Sequence, residues 1–311
     1  MMNRGLVIAL AVGLDLLLGE LPNRWHPVVA MGRLVGGLES RAPRSGAFRQ
    51  LLYGGLMEAI CLAAATIPSR TLERLLPTRS ILGAVATAVA LKPAFALRAL
   101  FSATGRVGQA LERGDLEAAR SAVGQVVSRD VSRLDEAGVA AAAVESLAEN
   151  ASDSVVAPLL FYAAFGLPGA YGYRMANTLD AMVGYRGRYE YLGKVAARAD
   201  DLLNLLPSRL ATLATMVASP VVGGSAAGAW RGALEGSRQT ASPNAGWPMA
   251  AAAGALGLRL EKVAHYVLNP EGRSPTTADL GRAQRLVGAS LAIAILGTIL
   301  AASRRGGRTR W

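Results

Sequence analysis

The chain has 311 residues, of which 52% are hydrophobic and 18% are charged, and its formal net charge is +11. Soluble domains carry roughly 25% charged residues, so this composition argues against an ordinary soluble protein and favours a membrane protein. No basic run with interleaved aromatic residues occurs, which argues against nucleic acid as a partner, and the single cysteine excludes a disulfide framework.

Apolar runs that approach the length of a bilayer crossing recur along the chain. About 20 apolar residues span the hydrocarbon core. We therefore predict an all-α, polytopic integral membrane protein with about five transmembrane helices. The predicted spans are 5–19, 50–68, 81–101, 205–223 and 286–302. Two further apolar runs, 155–173 and 245–258, contain prolines and glycines, and whether they cross the membrane stays open.

Basic residues in the short loops predict the orientation, because cytoplasmic loops carry an excess of Lys and Arg. Segment 20–49 contains five arginines and is predicted to lie in the cytoplasm, as is segment 102–154 two spans later. Segment 102–154 has the pattern of soluble helices, with a break at Gly114 and Asp115 and a capping signal from Ser132 to Asp135. We predict one membrane-embedded domain over 1–311, in which 102–154 is a cytoplasmic helical insert carrying polar motifs.

Three carboxylates and a serine lie close together at the end of this insert. On a helix, Glu145 and Glu149 share a face with Ser152 or Asp153, at i, i+4 and i+7 or i+8. Like charges at this spacing repel, so we expect a cation to compensate them. Oxygen ligands without His or Cys suit Mg²⁺ bound together with phosphate. The alternative is an ordinary solvated helix face.

Arginines precede this acidic face. If the segment is helical, Arg129 and Arg133 share a face and can bind a phosphate or a carboxylate in bidentate fashion. The alternative is a network of ion pairs within one helix, since Asp130 and Asp135 lie beside them.

Two more polar stretches follow the apolar run 155–173. Arg174, Asn177 and Asp180 are spaced i, i+3 and i+6 on a broad helical face. Asp200 and Asp201 lead directly into an apolar run, which is costly unless they are paired or bind a metal. Capping of a helix N-terminus by these two acids is the alternative.

The remaining candidates are scattered. The Pro/Gly loop 242–248 displays Asn244 and Trp247 and is suited to lining a pocket. Glu58 and Lys92 lie inside apolar runs, where ionisable groups are functional candidates by default. The motifs of P-loop, dinucleotide-binding, nucleophile-elbow and zinc-protease sites are absent, so any nucleotide would occupy an unfamiliar site.

Five segments, taken in order, resemble the successive motifs of the CobD/CbiB family. These are the adenosylcobinamide-phosphate synthases (cobinamide synthases) of cobalamin biosynthesis. The resemblance extends from about residue 14 to residue 285. The segments are LDLLLGELPNRWHPVVAMGRL, VSRDVSRLDEAGVAAAAVESLAENASDSVVAPL, YRMANTLDAMVGYR, ARADDLLNLLPSRL and SPNAGWPMAAAAGALGLRLEK.

The resemblance implies an enzyme of the cell membrane, with its active face in the cytoplasm. It would join aminopropanol phosphate, aminopropanol or an ethanolamine equivalent to a propionate carboxyl of adenosylcobyric acid. In this family the ligation uses ATP as a co-substrate and Mg²⁺. Its partners would be the corrinoid, the amine and the lipid bilayer, and an association with other enzymes of the pathway stays open.

The resemblance also implies roles for the polar residues, although it does not say which acid is a base and which is a metal ligand. The expected catalytic residues are Glu145, Glu149 and Asp180. The expected metal ligands are Glu149, Asn150, Asp153, Asp200 and Asp201. The expected residues for substrate and phosphate are Arg129, Arg133, Arg174, Asn177, Arg186, Asn244 and Trp247, the last two in contact with the corrinoid.

Two alternatives stay open. Related AmpE-like membrane signalling proteins share the superfamily without the activity, although the intact motifs ESLAENASD and NTLDAMVGYR favour the synthase. A small-molecule transporter is suggested by Glu58, Lys92 and the interrupted run 155–173.

Overall fold

The computed structural model describes residues 3–77 and 80–307, with side chains described as far as residue 304. These residues are mainly helical, which confirms the predicted all-α class. The helices are α1 (Arg4–Leu18), α2 (Pro27–Glu39), α3 (Ala47–Leu75), α4 (Ile81–Leu91), α5 (Leu97–Glu112), α6 (Leu116–Gly124), α7 (Glu136–Ala151), α8 (Ala157–Phe165), α9 (Leu167–Val183), α10 (Lys194–Leu203), α11 (Leu205–Ala218), α12 (Ala226–Gly236), α13 (Gly246–Leu256) and α14 (Thr277–Gly307). Strands β1 (Leu260–Lys262) and β2 (Tyr266–Leu268) form an antiparallel hairpin.

Four helical stretches in the described residues are long and apolar enough to cross a membrane. They are Ala47–Leu75, Ile81–Glu112, Leu205–Val222 and Thr277–Arg304. They coincide with four of the five predicted spans and confirm a polytopic membrane protein. The first predicted span corresponds to α1, whose 15 residues are fewer than the roughly 20 that a straight crossing needs.

The two ambiguous apolar runs are interrupted or short. The run 155–173 breaks between α8 and α9 at Gly166, whose φ of +75° is a left-handed conformation that favours glycine. The run 245–258 forms α13, which has 11 residues and is buried on nearly all sides. Helix α13 is therefore a core helix of the protein rather than a separate crossing.

Segment 102–154 contains the end of α5, α6 and α7, with non-helical residues 125–135 before α7, and its first residues to Glu112 belong to the candidate span Ile81–Glu112. Its assignment as an insert stays a prediction, and one predicted cap is wrong. Gly114 adopts a φ of +70° and Asp115 caps α6, so the predicted break is confirmed. The cap of α7 is Asp135 and not Ser132, because the Asp135 carboxylate accepts the Gly138 amide at 2.8 Å.

The chain divides into two compact units. Unit 1 comprises Met1–Ala96, Ala157–Asn204 and Gly297–Trp311, and unit 2 comprises Leu97–Val156 and Leu205–Leu296. In unit 1, α2, α3 and α10 pack against α9. In unit 2, α13 packs against α7, α11 and α12, while α7 also contacts β1. The assignment of 1–311 to a single domain stays a prediction.

The apolar core of unit 1 lies between these helices. Small and flexible side chains fill its centre, and three partly buried tyrosines, Tyr53, Tyr171 and Tyr189, pack against it. Its buried members are Met31, Val35, Met57, Cys61, Ala65, Met175, Leu179, Val183 and Ala196.

Candidate active site

Unit 2 contains a cavity of about 410 Å³ with polar and apolar walls. The last turn of α7, the loop before α13, the first half of α13 and the β-hairpin each contribute to it. Its lining residues are Glu149, Gln239, Thr240, Ala241, Ser242, Ala245, Met249, Lys262, His265 and Tyr266. A carboxylate, a lysine, a histidine and several hydroxyl groups therefore converge on one space.

The β-hairpin brings the basic side chains to this cavity. Gly257 ends α13 with a φ of +66°, and the chain then turns into β1. The amide of His265 donates to the carbonyl of Lys262 at 2.9 Å, and Ala264 between them has a φ of +62°. This tight turn holds Lys262 and His265 near each other, and β1 packs against α7.

A buried ion pair lies behind Glu149 on α7. Nη2 of Arg129 donates to Oε2 of Glu145 at 2.7 Å, and the Glu145 residue is only 4% exposed. Oε1 of Glu145 and Nε of Arg129 are buried and have no hydrogen-bond partner in the described part of the chain. The pair thus holds two charges in the interior with part of their hydrogen-bonding capacity unused.

The predicted arginine pair does not form. Residues 127–135 are not helical, so Arg129 and Arg133 do not share a helix face. Arg129 points into the interior to Glu145, whereas Arg133 is exposed. The prediction required a helix through both arginines. Helix α7 begins only after its Asp135 cap, so this helix does not exist.

Burial shifts the pKa of two groups at this site, Glu145 behind the cavity wall and Tyr266 in its lining. Burial raises the pKa of Glu145 to about 7, with Arg129 acting in the opposite direction and Glu149 adding to the rise. Burial also raises the pKa of the Tyr266 phenol, and Glu145 and Glu149 raise it further. Tyr266 therefore remains a proton donor, and the two glutamates and the tyrosine are close enough to affect one another's protonation.

The expected metal ligands at the end of α7 and in the turn that follows differ in how well they fit Mg²⁺. Nδ2 of Asn150 donates to the Ser146 carbonyl at 2.9 Å and Oδ1 accepts from Ser154 at 3.3 Å, so the amide is engaged along its own helix. No group of three or more His, Cys, Asp or Glu side chains in residues 3–77 and 80–304 could hold a metal. Mg²⁺ commonly takes one or two protein carboxylates with phosphate oxygens. Glu149 and Asp153 fit that mode, and their role stays a prediction.

The expected site residues from Arg174 to Asp201 belong to unit 1, where three of them take part in a partly buried hydrogen-bond network. The Asp200 carboxylate accepts from Nδ2 of Asn177 at 3.2 Å and from Nδ2 of Asn204 at 2.9 Å. Oδ1 of Asn204 accepts from the Tyr173 hydroxyl at 2.8 Å. Nη1 of Arg174 donates to Oδ1 of Asn177 at 3.4 Å. Burial raises the pKa of Asp200, which the two amide donors oppose.

The remaining acids of this group lie at helix ends. Asp200 and Asp201 are in the last turn of α10 and not in its first turn. Asp201 pairs with Arg198 at 3.4 Å. Asp180 is half-buried in the last turn of α9, and Arg186 is exposed in the loop that follows.

The side chain of Arg209 holds the loop 242–248. Arg209 belongs to the same family-like segment as Asp200 and Asp201. Arg209 of α11 donates to Oδ1 of Asn244, which is buried, and its guanidinium lies 4.8 Å from the centre of the Trp247 ring. Asn244 therefore fixes the loop from inside, while its neighbours Ser242 and Ala245 line the cavity. A contact of Asn244 and Trp247 with a corrinoid stays a prediction.

Comparison with known proteins assigns the chain to a family. The model of the CobD/Cbib protein family matches residues 8–292.

The chain belongs to the CobD/CbiB family.

Curated relatives named cobalamin biosynthesis protein CobD are similar over most of their length. The protein of Chromobacterium violaceum is 45% identical over 299 residues, 92% of this chain and 93% of the relative. That of Dehalococcoides mccartyi is 44% identical over 269 residues, 86% and 87% of the two chains. A probable CobD of Methanocaldococcus jannaschii is 38% identical over 270 residues, 85% and 87%. No solved structure matches the chain.

The part of the chain that the CobD/CbiB model matches includes cavity residues that sequence reasoning missed. Lys262, His265 and Tyr266 were not expected at the site, although Lys262 ends the last family-like segment. The sequence did offer a sign of these residues. The short polar stretch after α13 lacks helical periodicity, which indicates a turn or hairpin there. What was missing was the long-range contact between the hairpin and α7.

Proposed function

We propose that this chain is a membrane-bound, ATP-dependent ligase that joins an aminoalcohol phosphate to a propionate carboxyl of adenosylcobyric acid. Membership of the CobD/CbiB family supports the pathway, since the relatives are named as cobalamin biosynthesis proteins and this chain takes part in that biosynthesis. The cavity of unit 2 is the observation that supports the reaction. There the Glu149 carboxylate and the Lys262 ammonium line one space of about 410 Å³.

Amide formation requires the propionate to lose an oxygen. Phosphoryl transfer from ATP to that oxygen releases ADP and makes phosphate the leaving group. The amine nitrogen then forms the C–N bond, the C–O bond breaks, phosphate leaves, and the nitrogen loses a proton. Glu149, half-buried at the cavity wall, is the carboxylate that accepts a proton from this nitrogen.

The basic and hydroxyl groups of the cavity suit the phosphate of the amine substrate. Lys262 and His265 supply positive charge or N–H donors, and Thr240 and Ser242 lie on the same wall. Glu149 would bind the substrate as an ammonium and take its proton before the nitrogen attacks, the second proton leaving with the phosphate, while Lys262 would hold the substrate's own phosphate at the other end of the molecule. The buried Arg129–Glu145 ion pair links the loop before α7 to α7, one turn before Glu149.

Mg²⁺ fits this site as a partner of the nucleotide, and when bound it neutralises charge on the phosphoryl oxygens. Asp153, in the π-helical turn that follows α7, is the carboxylate that would hold it with phosphate oxygens, while Glu149 serves as the proton acceptor. The side chains of the cavity then bind the amine substrate, orient it and limit the access of water.

Turnover with two amines tests the proposal. The purified chain in lipid nanodiscs, supplied with adenosylcobyric acid, ATP and Mg²⁺, should form the amide with aminopropanol phosphate. Lys262→Met should raise KM for aminopropanol phosphate about 10-fold or more, because it removes a charge-assisted contact, and should leave KM for unphosphorylated aminopropanol nearly unchanged. Product formation is followed by mass spectrometry.

Lys194→Met, at an exposed lysine of α10, is the matched control and should keep both KM values. An equal rise in KM for both amines in Lys262→Met would show that Lys262 does not bind the phosphate. Absence of amide with the wild-type chain, together with uptake of a corrinoid by vesicles containing it, would favour the transporter alternative.

A further inference from the structure

An open groove of about 790 Å³ lies between the start of α3 and helix α10, within unit 1. Phe48 and Leu51 of α3 and Val195 and Leu202 of α10 form its apolar walls. Large apolar side chains are exposed there, since Phe48 is 71% and Leu202 is 68% exposed. The volume lies in the range of pockets that hold an organic ligand of drug size.

Helix α3 packs closely against the start of α10 next to this groove. A Cβ atom at Gly54 would lie 2.0 Å from the carbonyl oxygen of Leu192, so glycine is needed for this approach. One at Gly55 would lie 3.9 Å from Cγ2 of Val195, an ordinary contact. The groove is therefore built on a close contact between two elements.

The groove carries positive charge. Among the described residues that line it, Lys194 and Arg198 are basic and none is acidic. The two are four residues apart on α10, beside its apolar wall. Arg198 pairs with Asp201 at 3.4 Å, but the Arg198 side chain is 73% exposed. Such surface pairs are weak, so the guanidinium remains accessible to a ligand.

The groove lies at one end of a candidate membrane span. Phe48 is in the first turn of α3, which is one of the four candidate spans. The exposed Arg44 and Arg49 flank this end, and the exposed Tyr191 lines the groove. Tyrosine and basic residues are enriched where a span meets the lipid headgroups, and basic pockets at that level bind the headgroups of anionic lipids.

We propose that this groove binds one anionic phospholipid, with an acyl chain along Phe48, Leu51 and Leu202 and the headgroup at Lys194 and Arg198. The exposed apolar walls favour the chain, because contact with it removes their surface from water. Two cations select a headgroup of net negative charge over a zwitterionic one, whose own ammonium group they repel. This site goes beyond the proposed ligation and does not depend on it.

Native mass spectrometry of the purified chain in a non-ionic detergent tests the proposal. Phosphatidylglycerol and phosphatidylcholine with the same acyl chains are added in equal amounts, without ATP, corrinoid or amine. The wild-type chain should retain one phosphatidylglycerol and bind it about 10-fold more tightly than phosphatidylcholine. Lys194→Met combined with Arg198→Met keeps apolar stems without charge, and should reduce this preference to about 2-fold or less.

Arg70→Met combined with Arg74→Met is the matched control. These two exposed arginines are also four residues apart on one helix, at the other end of α3. The control removes the same net charge and should keep the preference for phosphatidylglycerol. Phe48→Ser should weaken the binding of both lipids by a similar factor, because it removes apolar contact and no charge.

Equal retention of the two lipids by the wild-type chain would show an apolar surface only and overturn the proposal. An undiminished preference in the Lys194 and Arg198 double variant, or an equal loss in the control, would overturn it as well. If the double variant does not fold, about 0.5 M salt should abolish the preference of the wild type, and a preference unaffected by salt would contradict the site.

The corrinoid is the other candidate occupant of the groove. Release of the bound phosphatidylglycerol by adenosylcobyric acid would assign the groove to the corrinoid and overturn the lipid site. Retention of the lipid in its presence supports the proposal. Failure of the ligase assay would leave these lipid measurements unaffected.

Discussion

Replacing Glu149 with glutamine should lower kcat for amide formation by about 10³-fold, because the substitution removes the proton acceptor at the cavity wall and keeps the size of the side chain. KM for the amine should change less than kcat if Glu149 acts mainly on the reacting nitrogen. The measurement is steady-state turnover of purified chains in nanodiscs, with binding of the amine followed separately.

Glu136→Gln is the control for this substitution. Glu136 is the first residue of α7 and is exposed, so the same chemical change on the same helix should leave kcat near the wild-type value. A Glu149→Gln chain with wild-type kcat across the pH range would remove Glu149 from the mechanism.

Replacing Arg129 with leucine should lower the free energy of unfolding strongly, and this is the second large effect that we expect. This change leaves Glu145 buried without its charged donor, and breaking a buried ion pair costs about 3–5 kcal/mol. The loss should grow with pH. The pKa of Glu145 is raised in the folded state to about 7 from an ordinary value of 4.5, so the folded chain holds the proton more tightly than the unfolded chain. Stability therefore falls as pH rises through this range.

Without Arg129 the pKa of Glu145 rises further, because the positive charge that opposes the effect of burial is gone. The deficit in Tm of Arg129→Leu should accordingly be small at pH 5.5 and large at pH 8. Thermal unfolding in detergent at the two pH values measures it, with the exposed Arg133→Leu as the control. A deficit that is the same at both pH values would show that Glu145 does not carry the effect.

Local sequence patterns predicted the helices well because apolar run length and capping residues act over a few positions. The break at Gly114 and the start of α6 at Asp115 followed from residue types alone. The acidic face of α7 was also predictable, since Glu145 and Glu149 are four residues apart on one helix. The spacing to Asp153 was less informative, because a π-helical turn over Ser152–Val156 changes the rotation per residue there.

The contacts that make the site were not predictable from local pattern. Arg129 reaches Glu145 only because the segment before α7 is an irregular loop, and periodicity cannot show where such a loop folds back. Lys262 and His265 come to the cavity through a hairpin more than a hundred residues after α7. The groove of unit 1 likewise depends on the packing of α3 against α10.

Transfer of ¹⁸O from the corrinoid carboxyl to phosphate tests most directly whether this chain activates a carboxylate for amide formation. The purified chain is supplied with adenosylcobyric acid labelled with ¹⁸O in the reacting propionate, together with ATP, Mg²⁺ and aminopropanol phosphate. We expect one ¹⁸O in the released inorganic phosphate for each amide formed, and one ADP for each phosphate. Amide formed with phosphate free of ¹⁸O would contradict the proposed activation, and no amide at all would contradict the ligase.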